Sequence, residues 1–241
     1  MAADRALIDA LRAALSAEAC PENAEPMQRY VRSELPCWGV KTPLRRKRVK
    51  EVVDAHPLEG FAAWRDTIRT LWDEATHREE RYAAIQLARA RPYRRHIGPG
   101  ALPLFEHLVV TGAWWDLVDE IASHLVGGAL EADPEALAPE LRRWARDPNV
   151  WKRRTAILAQ LRRKEETDTA LLEACLAPNL EPAPTEVRGC GAGRDAFWLR
   201  KATGWALRQY ARTDPDWVRA YLEEHADALS PLATREASKH L

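Results

Sequence analysis

The sequence lacks the residue patterns that mark metal, disulfide and nucleotide sites. Its four cysteines (Cys20, Cys37, Cys175 and Cys190) are scattered and form no CxxC pair, which disfavours structural zinc and a disulfide framework. The seven histidines show no HExxH or comparable ligand spacing. No Walker-type or GxGxxG loop is present, and the glycines of RGCGAGR follow a proline-rich segment instead of a strand. We therefore expect neither a metal ion nor a cofactor.

Long apolar runs and an overall charge are also missing. No apolar stretch approaches the roughly 20 residues that span a bilayer. The first 20 residues mix charges with Ala and Leu, without the basic-then-apolar order of a signal peptide. Lys plus Arg and Asp plus Glu are equal at 36 each, which argues against a uniformly basic coat for nucleic acid. We expect a folded cytoplasmic protein that has no membrane partner.

The charge is nevertheless unevenly distributed. Residues 28–50 hold eight Lys or Arg against one acid, and residues 142–164 hold nine against one. Phosphate binding depends on local basic surface and not on net charge. These two segments are therefore candidate contacts for a nucleic-acid backbone.

Helix-start signals recur along the chain. A potential capping residue directly precedes a proline at 42–43, 133–134, 147–148, 214–215 and 230–231, an order that satisfies an orphan amide and pre-sets the first helical turn. Between these signals, apolar residues recur at three- and four-residue spacing, and β alternation is absent. The pattern predicts an all-α protein.

The predicted helices also repeat. Four of them can be superimposed on Ala84, Ala122, Ala156 and Ala202, with steps of 38, 34 and 46 residues, close to the spacing of HEAT-like helix pairs. We predict one repeat domain over residues 1–241. The Pro- and Gly-rich residues 177–195 are predicted to form an irregular loop between repeats.

Three residues before the shared alanines stand Arg81, Asp119, Arg153 and Leu199. Because three of the four are charged, we expect this row to face a groove or solvent. Trp115 lies one turn before Asp119 on the same face, and its neighbour Trp114 is the better core candidate.

Five motifs, in order over roughly residues 25–241, resemble the AlkD-type DNA alkylation repair glycosylases. They are MQRYVRSELPCWGVKTPLRRKRV, WWDLVD, VWKRRTAIL, RKATGWALRQYARTDPDWV and LSPLATREASKHL. The resemblance implies a right-handed superhelical solenoid of HEAT-like antiparallel helix pairs whose concave face holds duplex DNA. It also implies excision without flipping the base into a tight pocket.

The resemblance assigns the catalytic set by residue. It implies Asp119 as the catalytic aspartate, Trp115 and Trp205 as cleft tryptophans, and Arg154 as an active-site arginine with a fork for a phosphate. The implied reaction is hydrolysis of the glycosidic bond of positively charged N3- and N7-alkylated purines in duplex DNA, as a step of base excision repair. The implied substrate is the nucleoid DNA in a bacterial-type cytosol. Residues 177–195 are longer than the family pattern.

Contacts to DNA are predicted at nine further positions. They are Tyr30, Trp38, Lys41, Arg45, Arg46, Arg81, Arg153, Arg188 and Arg194. We expect a monomer that needs no obligate protein partner.

Several alternatives remain open at this level. Trp205, Tyr30 and Trp38 are also compatible with packing, and Arg153 with being merely the neighbour of Arg154. HEAT-like repeats also form protein scaffolds and DNA-structure-binding proteins without catalysis, because fold does not fix function.

Overall fold

The structure, a computed structural model, describes residues 3–180 and 194–241, with only the backbone given for 194 and 195. Every regular element in this part of the chain is helical, which confirms the all-α prediction. None of these helices has the length and apolar character that crossing a bilayer requires. The chain divides into two compact units, Met1–Leu104 and Phe105–Leu241, which are described separately.

From residue 3 onward, where its description begins, the first unit is built from five α-helices followed by two 3-10 turns. The helices are α1 (Arg5–Ser16), α2 (Pro21–Val31), α3 (Thr42–Ala55), α4 (Gly60–Asp73) and α5 (Arg78–Ala88), and the turns are Arg91–His96 and Pro99–Ala101. Helix α1 packs against α3, and α5 packs against α3 and α4. The core side of α1 is formed by Leu7, Ile8, Leu11 and Leu15, at heptad-like spacing and all buried.

In its described residues, 105–180 and 194–241, the second unit holds nine α-helices and one π-helical segment. They are α6 (Leu102–Gly112, whose first residues belong to the first unit), α7 (Trp115–Glu120), the π segment Ile121–Val126, α8 (Gly127–Ala132), α9 (Pro134–Trp144), α10 (Val150–Leu158), α11 (Thr169–Leu176), α12 (Arg194–Tyr210), α13 (Pro215–Glu224) and α14 (Pro231–Ala237). Helix α10 is central, because it packs against α7, the π segment, α9, α11 and α12. All of its residues from 151 to 158 are buried.

Three of the five predicted helix starts are confirmed in detail. The side chains of Asp133, Asp214 and Ser230 each accept a backbone N–H of the following first turn, and a proline opens each helix. At 42–43 the helix does start at Thr42, but the predicted capping role is wrong for Thr42, because Lys41 is the N-cap residue and no side-chain hydrogen bond caps the helix. The predicted capping role is also wrong for Asp147, which accepts the amide of Asn149, the residue that caps α10 instead.

All four alanines used to superimpose the predicted helices are buried (Ala84, Ala122, Ala156 and Ala202), but the HEAT-like repeat itself stays a prediction. The exposed row predicted three residues earlier is wrong in two places. Arg153 is 1% exposed and Leu199 is 2% exposed, because α10 and α12 pack on both sides at these positions. The right-handed solenoid and the single-domain boundary remain predictions.

The predicted loop at 177–195 is only partly described. Ala177–Asn179 forms a 3-10 turn, and α12 begins at Arg194. Residues 181–193, with the predicted contact Arg188, lie outside the described part. The side chain of Arg194, also predicted to contact DNA, lies outside it as well.

Candidate active site

The backbone around WWDLVD is irregular, although its sequence predicted a plain amphipathic helix. Ala113 has a φ of +38°, in the left-handed region that disfavours a residue with a Cβ. The chain then enters α7 and passes after one and a half turns into the π segment. Short π-helical stretches are rare and frequently occur at functional sites. Asp119 lies in the last turn of α7, directly before this segment.

Asp119 forms a two-point ion pair with Arg154 of α10. Nε of Arg154 donates to Oδ1 at 2.7 Å, and Nη2 donates to Oδ2 at 2.8 Å. The Arg154 side chain is 4% exposed, whereas that of Asp119 is 13% exposed. The geometry therefore fixes the plane of the carboxylate from the protein side, while the Asp119 side chain keeps limited access to solvent.

The environment of Asp119 has opposing effects on its pKa. Burial raises the pKa of the carboxyl group above its ordinary value, while the hydrogen bonds and charge of Arg154 act in the opposite direction. The neighbouring acids Asp116 and Glu120 add to the rise. Burial therefore has a larger effect on the Asp119 pKa than the ion pair with Arg154.

Arg154 has a third partner within the protein. Its Nη1 donates to the backbone carbonyl of Trp198 at 2.6 Å, and its Cζ lies 5.7 Å from the centroid of the Trp198 ring. With its donors directed at Asp119 and Trp198, the guanidinium does not have the open fork that was predicted for a phosphate. Its position suits orientation of Asp119 instead.

Three tryptophans form a cluster behind this pair. The rings of Trp114, Trp151 and Trp198 lie 5.3–5.9 Å apart in tilted and edge-to-face arrangements, which aromatic pairs favour. Trp114, predicted to be a core residue, is partly buried in this cluster. Trp198 was not identified from the sequence, because its partners come from helices distant along the chain.

The two tryptophans predicted to line the cleft differ in their surroundings. Trp115 is the first residue of α7, one turn before Asp119, and is partly buried. Trp205 is also partly buried, and it packs against the hydrophobic core of the second unit. The packing alternative for Trp205 is therefore supported.

The basic run on α10 points inward. Arg153 donates from Nε to Oδ1 of Asn179 at 2.8 Å, which is incompatible with its predicted contact to DNA. Lys152 is 6% exposed and pairs with Glu106 and Asp147. Burial would lower the pKa of this lysine, but the two carboxylates outweigh it and the pKa is raised. Part of the basic segment 142–164 therefore serves the core.

Three predicted contacts in the first unit lie at its surface. Tyr30 on α2 is 75% exposed. Lys41, the N-cap residue of α3, and Arg46 on the first turns of that helix are exposed as well. These positions are open to a macromolecular partner of this unit.

The Trp38 loop is held by a buried acid. Glu79 is fully buried, and its carboxylate accepts the backbone amides of Trp38, Gly39 and Val40 at 2.9–3.1 Å. The Trp38 ring stacks on His77, with centroids 4.2 Å apart. Gly39 has a φ of +87°, and a Cβ there would collide with the carbonyl oxygen of Cys20, so the turn requires glycine.

Two further predicted arginines lie over aromatic rings of the first unit. The guanidinium of Arg45 is 4.2 Å from the centroid of Tyr82, and that of Arg81 is 5.0 Å from Trp72. Both side chains are partly buried. Each combines a packing role with some access to solvent.

A basic cluster on α12 and α14 was missed by the sequence analysis. Glu236 of α14 pairs with Lys201, Arg208 and Lys239, and the hydrogen bonds and charges of Lys239 and Lys201 lower its pKa to about 2. Lys201 and Arg208 flank Trp205 at helical spacing on α12. The spacing of Lys201 and Arg208 along α12 was the available sequence signal. It could not identify their partner, because Glu236 lies on another helix.

Comparisons with known proteins extend over most of the chain. The family model described as DNA alkylation repair enzyme matches residues 11–241. A solved structure of a predicted DNA alkylation repair enzyme from Enterococcus faecalis superimposes with a TM-score of 0.76 at 29% sequence identity. The match covers 93% of this chain and 97% of that one. No curated protein matches the chain. The likeness therefore covers both units.

Proposed function

Since this chain belongs to the DNA alkylation repair enzyme family, we propose that it is a DNA glycosylase acting on positively charged N3- and N7-alkylated purines in duplex DNA. The observation that carries the proposal is the two-point Arg154–Asp119 pair, with its partly exposed carboxylate. The Asp119 side chain keeps some access to solvent besides its ion pair, which a carboxylate that acts on a bound nucleotide requires. No cofactor or metal enters the proposed reaction.

The proposed chemistry follows from the charge of the lesion. An N3- or N7-alkylated purine carries a positive charge, so it leaves as a neutral base when it takes the electron pair of the C1′–N bond. The sugar then acquires oxocarbenium character, which the ionised Asp119 carboxylate stabilises. Water adds to C1′ and loses a proton, and the same carboxylate orients that water or accepts its proton.

Arg154 and Trp115 are proposed to assist without bonding to the reacting atoms. Arg154 holds both oxygens of Asp119 in one plane, so the negative charge is already oriented before the transition state forms. Trp115, one turn earlier on α7, presents an indole beside a site that develops positive charge. Such contacts contribute about 0.5–2 kcal/mol, depending on desolvation.

Binding to DNA is proposed to be electrostatic and nearly independent of sequence. Exposed Lys41 and Arg46 in the first unit, and the partly exposed Lys201 and Lys239 in the second, are the proposed backbone contacts. Affinity should fall by about 0.9 log unit per log unit of salt for each phosphate neutralised. Affinity that does not change between low and high salt would contradict this part of the proposal.

The experiment that tests the proposal is single-turnover release of N7-methylguanine from duplex DNA. We expect release by the wild type and a loss of at least ~10-fold in Asp119→Asn, equivalent to ~1.4 kcal/mol of transition-state stabilisation. Binding of the alkylated duplex should be retained, because the substitution removes a negative charge that repels phosphate. Asp116→Asn, on the first turn of the same helix, is the matched control and should release the base at nearly the wild-type rate.

The outcomes separate the competing functions. A wild-type protein that binds duplex DNA but releases no alkylpurine would be a non-catalytic DNA-binding member of the family. Equal release of uracil and N7-methylguanine would contradict the requirement for a charged base. If Asp116→Asn were the slow variant, the assignment of the catalytic carboxylate would be wrong.

A further inference from the structure

The Arg154 guanidinium contacts Trp198 as well as Asp119. The carbonyl of Trp198 accepts Nη1 at 2.6 Å, and the ring of the same residue lies 5.7 Å from Cζ. Trp198 of α12 therefore makes two contacts with the guanidinium. Its backbone carbonyl accepts a hydrogen bond, and its indole ring lies within cation–π distance. Cations are attracted to indole faces at this distance.

Trp198 is itself held by neighbouring aromatic rings. Its ring meets Trp114 edge-on at 5.3 Å and Trp151 at 5.6 Å. Trp151 lies three residues before Arg154 on α10, so the cluster joins α12 to the helix that carries the arginine. These ring contacts restrict the rotation of the Trp198 indole.

We propose that Trp198 is a positioning residue, which keeps the guanidinium of Arg154 aligned with both oxygens of Asp119. Arginine has a long side chain that loses much rotamer freedom when it is held in one geometry. Without the indole, Arg154 reaches other rotamers, and its two-point contact becomes intermittent. The carboxylate then loses both its fixed plane and part of its counter-charge. Only the rate prediction below rests on the proposed glycosylase function.

The first test does not depend on activity. The Asp119 carboxyl is titrated by carbon-13 NMR, with its signal assigned by its absence in Asp119→Asn. Because Arg154 opposes the rise in the Asp119 pKa, a misaligned guanidinium should move the midpoint upward in Trp198→Leu. Trp198→Phe retains an aromatic face and should show a smaller shift. If Trp198→Leu does not fold, the Phe variant decides the outcome.

Trp217→Leu is the matched control for this test. It makes the same chemical change in the same unit, at a tryptophan that packs against Tyr210 and Tyr221. Its Asp119 midpoint should equal that of the wild type, although some stability is lost. An unchanged midpoint in both Trp198 variants, or an equal shift in Trp217→Leu, would overturn the proposal.

The second test measures single-turnover release together with DNA affinity. Trp198→Leu should release N7-methylguanine roughly 3- to 30-fold more slowly, the range expected for one cation–π contact, with affinity for the duplex unchanged. A loss confined to affinity would make Trp198 a DNA contact and overturn the positioning role. If the wild type releases no base, the glycosylase proposal fails, and the titration still decides the role of Trp198.

Discussion

Each unit contains a carboxylate that is held by several strong donors, but the two are used differently. In the first unit, Glu79 is fully buried and accepts three consecutive backbone amides. In the second, Asp119 is bound by one guanidinium and retains a partly exposed edge. Both satisfy the rule that buried polar groups need partners. Only Asp119 keeps access for a further molecule.

The comparison shows how a structural acid differs from a candidate catalytic one. The donors to Glu79 belong to the backbone of a turn, so this carboxylate determines the path of the chain from Trp38 to Val40. The donor to Asp119 is a side chain that is itself held by Trp198. Burial alone therefore does not identify a functional acid. The type of donor and the remaining exposure distinguish the two.

The largest expected effect concerns stability and the first unit. Glu79→Ala leaves the amides of Trp38, Gly39 and Val40 without their acceptor, and at roughly 1–3 kcal/mol for each unsatisfied group the free energy of unfolding should fall by about 3–9 kcal/mol. Urea unfolding at neutral pH measures it. Asp119→Asn should lose less than half as much, because its remaining oxygen still accepts from Arg154. Equal losses in the two variants would remove the distinction between the two acids.

Local features of the structure could be predicted from the sequence, because they depend on neighbouring residues. The all-α class and the helix starts at Asp133, Asp214 and Ser230 follow from capping and periodicity. The placement of Trp115 and Asp119 on one helix face could also be predicted, because the two residues are four positions apart in the sequence.

The partners of Asp119 could not be predicted, because they are tertiary. The sequence-based superposition aligned Asp119 with Arg153, but the structure pairs it with Arg154, which points about 100° away on the same helix. Trp198 comes from a helix that begins only at Arg194. The burial of Lys152, Arg153 and Arg154 on α10 likewise results from packing against several helices. Local sequence spacing does not predict such packing.

The second-largest expected effect is a pH dependence of base release, caused by protonation of the Asp119 carboxylate. Since the ionised form of Asp119 is the proposed active form and its pKa is raised, release should be present above that pKa and lost as the pH falls through it. The fall should approach tenfold per pH unit, with a midpoint above the ~3.9 of an ordinary aspartate. Single-turnover rates, corrected for release without enzyme, measure this profile. A midpoint at or below the ordinary value would contradict the burial argument.

A smaller effect is expected from changing the donor to Asp119. Arg154→Lys retains the positive charge but offers a point charge in place of a planar fork. The release rate should fall by about 5- to 10-fold, equivalent to roughly 1 kcal/mol, while unfolding changes little. Arg153→Lys, the adjacent change on the same helix, is the control and should affect stability more than rate. The reverse pattern would mean that Arg154 serves mainly the core.

The smallest expected effect tests a third carboxylate, whose partners are partly exposed cations. Lys239, Lys201 and Arg208 surround Glu236, and its pKa is lowered from 4.5 to about 2. A carboxyl group with a depressed pKa in the folded state contributes stability above its unfolded pKa, and that contribution is lost as the pH falls towards 2. Glu236→Gln should therefore destabilise the protein at pH 7 and approach the wild type as the pH is lowered from 5 to 3.

The loss in Glu236→Gln should stay below about 1 kcal/mol because solvent screens these cations, and it should shrink with added salt. The loss in Glu79→Ala should not shrink, because its partners are buried amides. Urea unfolding of both variants at low and high salt makes the measurement, and a salt-independent loss in Glu236→Gln would place this acid with Glu79 among the structural ones.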